Sequence, residues 1–406
     1  MRRRVTVIGA GAAGSMAAIF AARAGAETLL IERTAEGGKK IMISGGGRCN
    51  VLPARLDEAR FVTDSSPHSL RNMLRSWPLR EQVAFFEDEV GIPLKVEEES
   101  QKMFPVSNKA RDIRDGLLRV AREAGATLRF NSTVRDIRVA GSGWRVVVDE
   151  GEIVDADAVV IATGGLSVPN TGSDGIGLGI VERLGHTIRQ TYAALTPLIA
   201  DPAPFAELSG VSLTVTLSAR DGDRKTTATG GFLFTHHGYS GPSVLDISHV
   251  AVRSAAPSPA QVRVRWTTLD DKGWEALLKP DGTRIVRTVV REQVPDRLAD
   301  ALLAAAGVDP GRYLAQLKRE ERLRLIEMLV RAPLPWTGDA GYQKAEVTGG
   351  GVDLAEVDPR TMESRKLPGL FLCGEILDAF GPIGGYNFLW AWATGKSAGI
   401  GAAGRK

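Results

Sequence analysis

Hydrophobic and polar positions divide the chain into stretches of different period. Val5-Thr6-Val7-Ile8 is a run of β-branched side chains, as expected of a strand buried on both faces. Small helix-forming residues follow from Ser15 to Ala24, and Gly25 ends them. Thr28 to Ile31 reads as a second strand that closes on Glu32, completing a βαβ unit of about 30 residues. Residues 51–125 are mainly helical and polar in pattern, whereas 127–149 alternate and read as strands with a turn at 141–143. Residues 155–165 read as a buried strand ending at the pair Gly164-Gly165. The texture then changes: 207–268 carry alternating runs between glycine-rich turns, and 284–331 are helical and highly charged. From about 345 the glycine-rich turns and short apolar strands return, with "GLFLCGE" at 369–375. The expected fold is α/β, with a Rossmann-type domain split into 1–195 and 341–406. Between the halves lie an inserted antiparallel β-barrel-like domain (196–283) and a small helical subdomain (284–340).

Composition narrows the function classes. At 406 residues and 43% hydrophobic content the chain can fill more than one core. Its net charge of +3 is small and no basic block appears, so a nucleic-acid partner is not expected. Two cysteines, Cys49 and Cys373, fit a reduced compartment and exclude a structural zinc site made of cysteines alone. "MRRR" followed by an apolar run imitates a signal peptide or a membrane span. Glycines at fingerprint spacing inside that run argue against both. The expected location is therefore the cytoplasm, without membrane association.

The fingerprint is Gly9-x-Gly11-x-x-Gly14, with Glu32 eighteen residues further on. In such a turn the first glycine permits the bend, the second admits a pyrophosphate, and the third lets helix meet strand. The helix N-terminus offers free N–H groups, and the acid accepts hydrogen bonds from a ribose. A carboxylate at 32 would repel a 2′-phosphate, which favours FAD or NAD over NADP. Two rival glycine motifs fail: "ATGKSAG" lacks the Walker glycine, and "DGIGLGIVERLGH" has Ile180 where a third glycine belongs. One further stretch, "KKIMISGGGRCN" (39–50), could cradle a phosphate, present Cys49 as a nucleophile beside Arg48, or lie against a flat cofactor.

Long stretches decide in favour of the last. "VIGAGAAG", "GGKKIMISGGGRCN", "FPVSNKARDIRDGLL", "GGFLFTHHGYSGPSVLDIS" and the run from "EVTGGGVDL" to "GGYNFLWAWATG" are similar in order to the BaiN/YhiN-like flavoproteins, an NAD(P)/FAD-dependent oxidoreductase family. The resemblance implies FAD. Gly9, Ala10, Gly11, Ala12, Ala13 and Gly14 would hold its pyrophosphate, with Glu32 and Arg33 at the adenosine ribose and Val134 at the adenine. Lys40 and the segment Ser44, Gly45, Gly46, Gly47, Arg48, Cys49 and Asn50 would lie along the flavin side, and Thr163, Gly164 and Gly165 beside the nucleotide. Gly374, Glu375 and Asp378 would meet the ribityl–pyrophosphate region. Gly384, Gly385, Tyr386 and Asn387 would pass close to the isoalloxazine, with the next helix aiming its N-terminus at the pyrimidine edge, where reduced flavin is negative. Phe380, Pro382 and Ile383 depart from the family's usual small polar or tryptophan-containing run.

Candidates for proton transfer are Tyr386, Tyr239 and His237, each of a type that more often packs than reacts. His236 and His237 are adjacent, so on a strand they would face opposite ways and chelate no common metal. No metal site is expected. Trp390 and Trp392 read as core, and Cys49 as a small packed residue, since no CxxC accompanies it. The activity implied by the resemblance is hydride transfer through flavin N5, reducing a small, enone-like substrate, with NAD(P)H as a transient electron donor. A flavin monooxygenase or oxidase, and a flavoprotein that acts on or docks to tRNA, are the alternatives.

Overall fold

The computed structural model describes residues 2–254 and 260–404. Their contacts form two units: residues up to 193 with those from 346 onward, and residues 194–345.

The first unit is built on a five-stranded parallel sheet. Its order is Leu370–Leu372, Ala158–Ile161, Arg4–Ile8, Glu27–Ile31, Thr127–Arg129. Val5, Val7, Val159, Val160, Leu370 and Leu372 are at most 1% exposed. Burying each such branched side chain is worth about 1.5–3 kcal/mol. The sheet therefore joins chain from both sides of the second unit's segment. Helix Ala12–Arg23 makes the crossover between the first two strands, which pair in parallel. The C-terminal helix Tyr386–Ala402 packs directly on it, and two glycines allow the close approach. A Cβ on Gly395 would lie 2.4 Å from the Ala13 carbonyl oxygen, and one on Gly399 2.3 Å from that of Ala17.

The stretch expected to be mainly helical contains helices Pro67–Arg75, Leu79–Ala84 and Ala110–Glu123, but also a three-stranded antiparallel sheet. Its strands, Leu52–Pro53, Lys102–Pro105 and Leu94–Glu97, hold two to four residues, too few to show a period of two. The alternation at 127–149 divides: Thr127–Arg129 joins the parallel sheet, while Val134–Ala140 and Gly143–Val148 form a hairpin extended by Glu152–Ala156.

The second unit holds a seven-stranded antiparallel sheet. Its edges, Ala332–Pro333 and Gly338–Asp339, each pair with one neighbour, so among the described residues the sheet is open and the expected closed barrel does not form. Helices Val286–Arg291, Asp296–Ala306 and Arg319–Val330 contribute Val289, Leu302 and Leu325 to the core that also contains Phe232, Phe234 and Trp266 of the sheet. They cover that sheet rather than enclose a core of their own. His236 and His237 occupy the two-residue turn between Arg224–Thr235 and Gly238–Ser240, both exposed, not opposite faces of a strand.

Candidate functional site

A cleft of about 460 Å³ opens in the first unit above the carboxyl ends of the parallel strands, where open α/β sheets bind ligands. The fingerprint turn forms one end, and its three glycines play separate parts. Gly9 has φ +98°, and a Cβ there would lie 2.6 Å from the Ala162 carbonyl oxygen. Gly14 brings helix onto strand so tightly that a Cβ would sit 1.8 Å from the Gly9 carbonyl oxygen. Gly11 differs: it lines the cleft, its φ is −79°, and a Cβ would have nothing within 4 Å. It is also the N-cap of Ala12–Arg23 and no side chain caps that helix, so the first N–H groups are left for a ligand.

Glu32 stands at the same end, 9% exposed. Its Oε2 accepts the Ala10 N–H at 2.7 Å, and its Oε1 accepts the Thr34 N–H at 2.8 Å and the Thr34 hydroxyl at 2.7 Å. The carboxylate is thus fixed, facing a wall made with Ser132, Thr133 and Val134. Arg33 lines the cleft while paired with Asp174. Midway, Lys40 Nζ donates to Glu375 Oε2 and to Ser167 Oγ, both at 2.7 Å. Glu375 Oε1 accepts the Ser167 hydroxyl at 2.7 Å and the Thr348 N–H at 3.0 Å.

At the other end the chain 44–50 turns sharply. Gly45, Gly46 and Gly47 have φ of +56°, +68° and +85°, a region that side chains disfavour, so the triple glycine is first a backbone requirement. Ser44, Gly45, Gly46 and Asn50 line the cleft. Opposite lie Gly384, Gly385 and Asn387, at the start of the C-terminal helix, whose N-cap Gly385 likewise leaves the N-terminus without a side-chain cap. Asn387 closes this turn on itself, donating to the Gly381 carbonyl at 3.0 Å and accepting its N–H at 2.9 Å.

Ala12, Ala13, Thr163, Gly164 and Gly374 also line the cleft, whereas eight of the expected residues do not. Gly14 serves helix packing, and Ala10 is buried with its N–H on Glu32. Gly165 packs on Thr348, and Gly47 lies behind the turn. Arg48 turns away to Glu97 at 3.0 Å and over the Phe104 ring, 4.0 Å from its centroid. Cys49 is fully buried, and burial pushes its thiol up to about 12, which removes the thiolate at neutral pH. Asp378, 2% exposed, accepts the Ser65 hydroxyl at 2.7 Å and the Asp64 N–H at 3.0 Å, tying a loop rather than meeting a ligand. Tyr386 points into the core and donates its hydroxyl to the Arg55 carbonyl at 3.1 Å.

Tyr239 belongs to the second unit, 1% exposed, and burial raises its phenol pKa; His237 is exposed there. Trp390 and Trp392 are buried, donating to the Gly374 and Val51 carbonyls, both at 3.0 Å. The described residues hold no metal-binding cluster of His, Cys, Asp or Glu, and both cysteines are free and buried. Sequence reasoning missed Lys39, Lys102, Ser132, Thr133 and Ser173, all in the cleft wall. Lys39 opens the 39–50 stretch but was given no role; the others belong to no motif, and only folding gathers them.

The family model of the HI0933-like protein Rossmann domain matches residues 3–401. The chain belongs to that family, whose members are Rossmann-fold flavoprotein oxidoreductases. Among HI0933-like relatives, the ribosomal RNA dihydrouridine synthase of Escherichia coli (strain K12) is 33% identical, covering 96% of this chain and 95% of that protein. The 3-dehydro-bile acid delta(4,6)-reductase of Clostridium scindens is 31% identical over 99% of both. The Mycobacterium smegmatis Sdh1 complex in its apo form is similar in fold, with a TM-score of 0.51 at 15% identity over 99% of this chain and 68% of that one. The first relative leaves a nucleic-acid partner open, against the expectation from net charge. No helix among the described residues is long and apolar enough to cross a membrane.

The residues present fit FAD. The two uncapped helix N-termini and the space at Gly11 describe a cleft shaped for a long, polar, anionic guest.

Proposed function

We propose that this chain binds FAD in the first unit's cleft and reduces a carbon–carbon double bond conjugated to a carbonyl. The observation that carries the reading is the cleft itself: one helix N-terminus and a fixed acid at one end, a second helix N-terminus and bare glycine backbone at the other. Gly11 with the first helix N-terminus would take the diphosphate, Glu32 the adenosine ribose and Val134 the adenine side. Lys40, held by Glu375, would reach the middle of the cofactor, and the glycine segments 45–46 and 384–385 would admit a flat ring. When bound, FAD supplies the hydride, leaving the protein to orient the rings, exclude water and deliver a proton. Apolar Ala379, Phe380 and Ile383 wall the flavin end and keep it dry.

Both relatives support this chemistry. A bile acid delta(4,6)-reductase and a dihydrouridine synthase each add two electrons and two protons across a C=C bond conjugated to a carbonyl. A small enone is the first substrate class, with NAD(P)H as the transient reductant. Uridine in RNA is the second, favoured by the 33% identity to the ribosomal RNA enzyme across nearly the whole of both chains.

The test is direct. Purified protein should carry FAD rather than FMN, and NAD(P)H should bleach it. A panel of cyclic enones and a uridine-containing ribosomal RNA should then reoxidise it anaerobically. Saturation of an enone with stoichiometric NAD(P)H consumption supports the first class, and dihydrouridine in the RNA the second. Rapid reoxidation by oxygen alone, with peroxide release and no saturated product, would overturn both in favour of an oxidase.

A further inference from the structure

The antiparallel sheet of the second unit has two unlike faces. Along Ser212–Asp221 the side chains of Val215, Leu217 and Ala219 are buried, and along Gln261–Arg265 so are Val262 and Val264. Residues between them point to the opposite face, because side chains alternate along a strand. Pairing aligns these outward residues in rows. Arg265 stands beside Thr216 and Thr216 beside Thr229, and the next row is Arg263, Ser218 and Thr227. The third row is Gln261, Arg220 and Lys225. Thr216 and Arg265 are half-buried and the others are exposed.

Arg220, Lys225, Arg263 and Arg265 therefore share one face with a set of hydroxyls. The strands Ser212–Asp221, Arg224–Thr235 and Gln261–Arg265 contain a single acid, Asp221, which is at an inward position and meets Arg224 at 3.8 Å. Carboxylates near the face come from outside these strands: Asp223 in the hairpin turn, and Glu327, 3.7 Å from Arg263. A net charge of +3 for the whole chain conceals this local asymmetry, which the two-residue period creates.

A guest for such a face is polyanionic and rich in acceptors. Arg, Lys, Ser and Thr side chains are the usual donors to phosphate oxygens. Apolar anchors of the kind that hold a protein partner are lacking, Leu233 being the one large apolar side chain exposed on these strands. Their aromatic residues, Phe232 and Phe234, are buried on the inward side, so the outward face offers no ring for stacking single-stranded bases. Outward side chains recur about every 7 Å along a strand and about 5 Å between strands, a grid that meets several phosphates at once.

We propose that this face docks folded RNA through its ribose–phosphate backbone. The contact is independent of base sequence and steeply salt-dependent. It belongs to the second unit, whereas the cleft belongs to the first. The inference rests on the second substrate class above, uridine in RNA.

The experiment titrates a labelled ribosomal RNA hairpin containing uridine with the full chain, by fluorescence anisotropy over a range of salt. The test variant combines Arg220→Gln, Lys225→Gln and Arg263→Gln, all at exposed positions that leave the core untouched. A control of equal net charge combines Lys272→Gln, Lys279→Gln and Arg319→Gln, exposed cations outside the sheet. At about 150 mM salt the test variant should bind at least tenfold more weakly than the wild type, and its slope of log affinity against log salt should be shallower by about 2–3. The control should stay within about threefold of the wild type. Arg220→Lys with Arg263→Lys should keep most of the affinity, since Lys binds phosphate as a point charge; its loss would overturn charge as the cause. Equal losses in test and control, or none in the test variant, overturn the face. So does a wild type that binds phosphatidylserine vesicles but not RNA. Dihydrouridine is scored separately at subsaturating RNA. Binding through the face without dihydrouridine overturns the uridine class and leaves the face standing, whereas dihydrouridine formed equally by the test variant overturns the face and leaves that class standing.

Discussion

Gly11 can be filled without disturbing the fold, which makes Gly11→Val a sharp test of the cleft. Gly11 has φ −79° and ψ −165°, backbone that any residue adopts, and a Cβ there meets no atom within 4 Å. The cost to folding is limited to a poorer N-cap, about 0.5–1 kcal/mol. For a protein of this size that lowers Tm by only about 1–2 °C. The effect on binding is larger, because the isopropyl group occupies the space beside the free N–H groups of helix Ala12–Arg23. Losing an anion at a helix N-terminus costs up to about 2 kcal/mol, and steric exclusion adds to it. Affinity for FAD should therefore fall about 100-fold or more, equivalent to about 2.7 kcal/mol. Titrating apoprotein with FAD by fluorescence quenching, beside thermal melts without FAD, separates the two terms. Affinity within about threefold of wild type would refute the placement of the diphosphate, and a melting point about 10 °C lower would refute the open space at Gly11.

Other substitutions should behave differently for reasons equally visible in the structure. Gly14→Ala should destabilise apoprotein by about 1–3 kcal/mol or more, because the new Cβ falls 1.8 Å from the Gly9 carbonyl oxygen; an unshifted melt would contradict that packing. Cys49→Ser should leave flavin reduction and turnover unaltered, and iodoacetamide should not label Cys49 in folded protein at pH 7, since its thiol is buried and pushed up to about 12. Asp300, paired with Arg287 and Arg291, has its carboxyl lowered to about 2 from 3.8. Its stabilising effect is therefore present above about pH 4 and is lost as pH falls towards 2. Asp300→Asn should flatten that acid limb in melts taken between pH 5 and 2, and an unchanged limb would show that the pair contributes nothing.

Elements with strong local signals were legible from the chain alone. The run 5–8, the fingerprint and Glu32 specify a strand, turn, helix and strand through contacts within some 30 residues, and the structure follows them. The small sheet at 52–53, 94–97 and 102–105 was not legible, because strands of two to four residues carry no period. The second unit's sheet alternates clearly, yet whether such strands close or stay open depends on edge pairing, which no single strand encodes. The triple glycine was read as room for a cofactor. Three consecutive positive φ values show that the turn itself requires glycine, and only Gly45 and Gly46 then face the cleft.

The sequence by itself therefore determined the dinucleotide-type βαβ unit and the class of guest it suits, since those depend on spacing along one segment. Tertiary structure alone decided which side chains meet that guest. A residue's direction at a turn is set by φ and ψ and by neighbours distant in sequence. So Arg48 leaves the cleft for Phe104, Tyr386 for the Arg55 carbonyl and Asp378 for Ser65, while Lys102 enters beside Gly384.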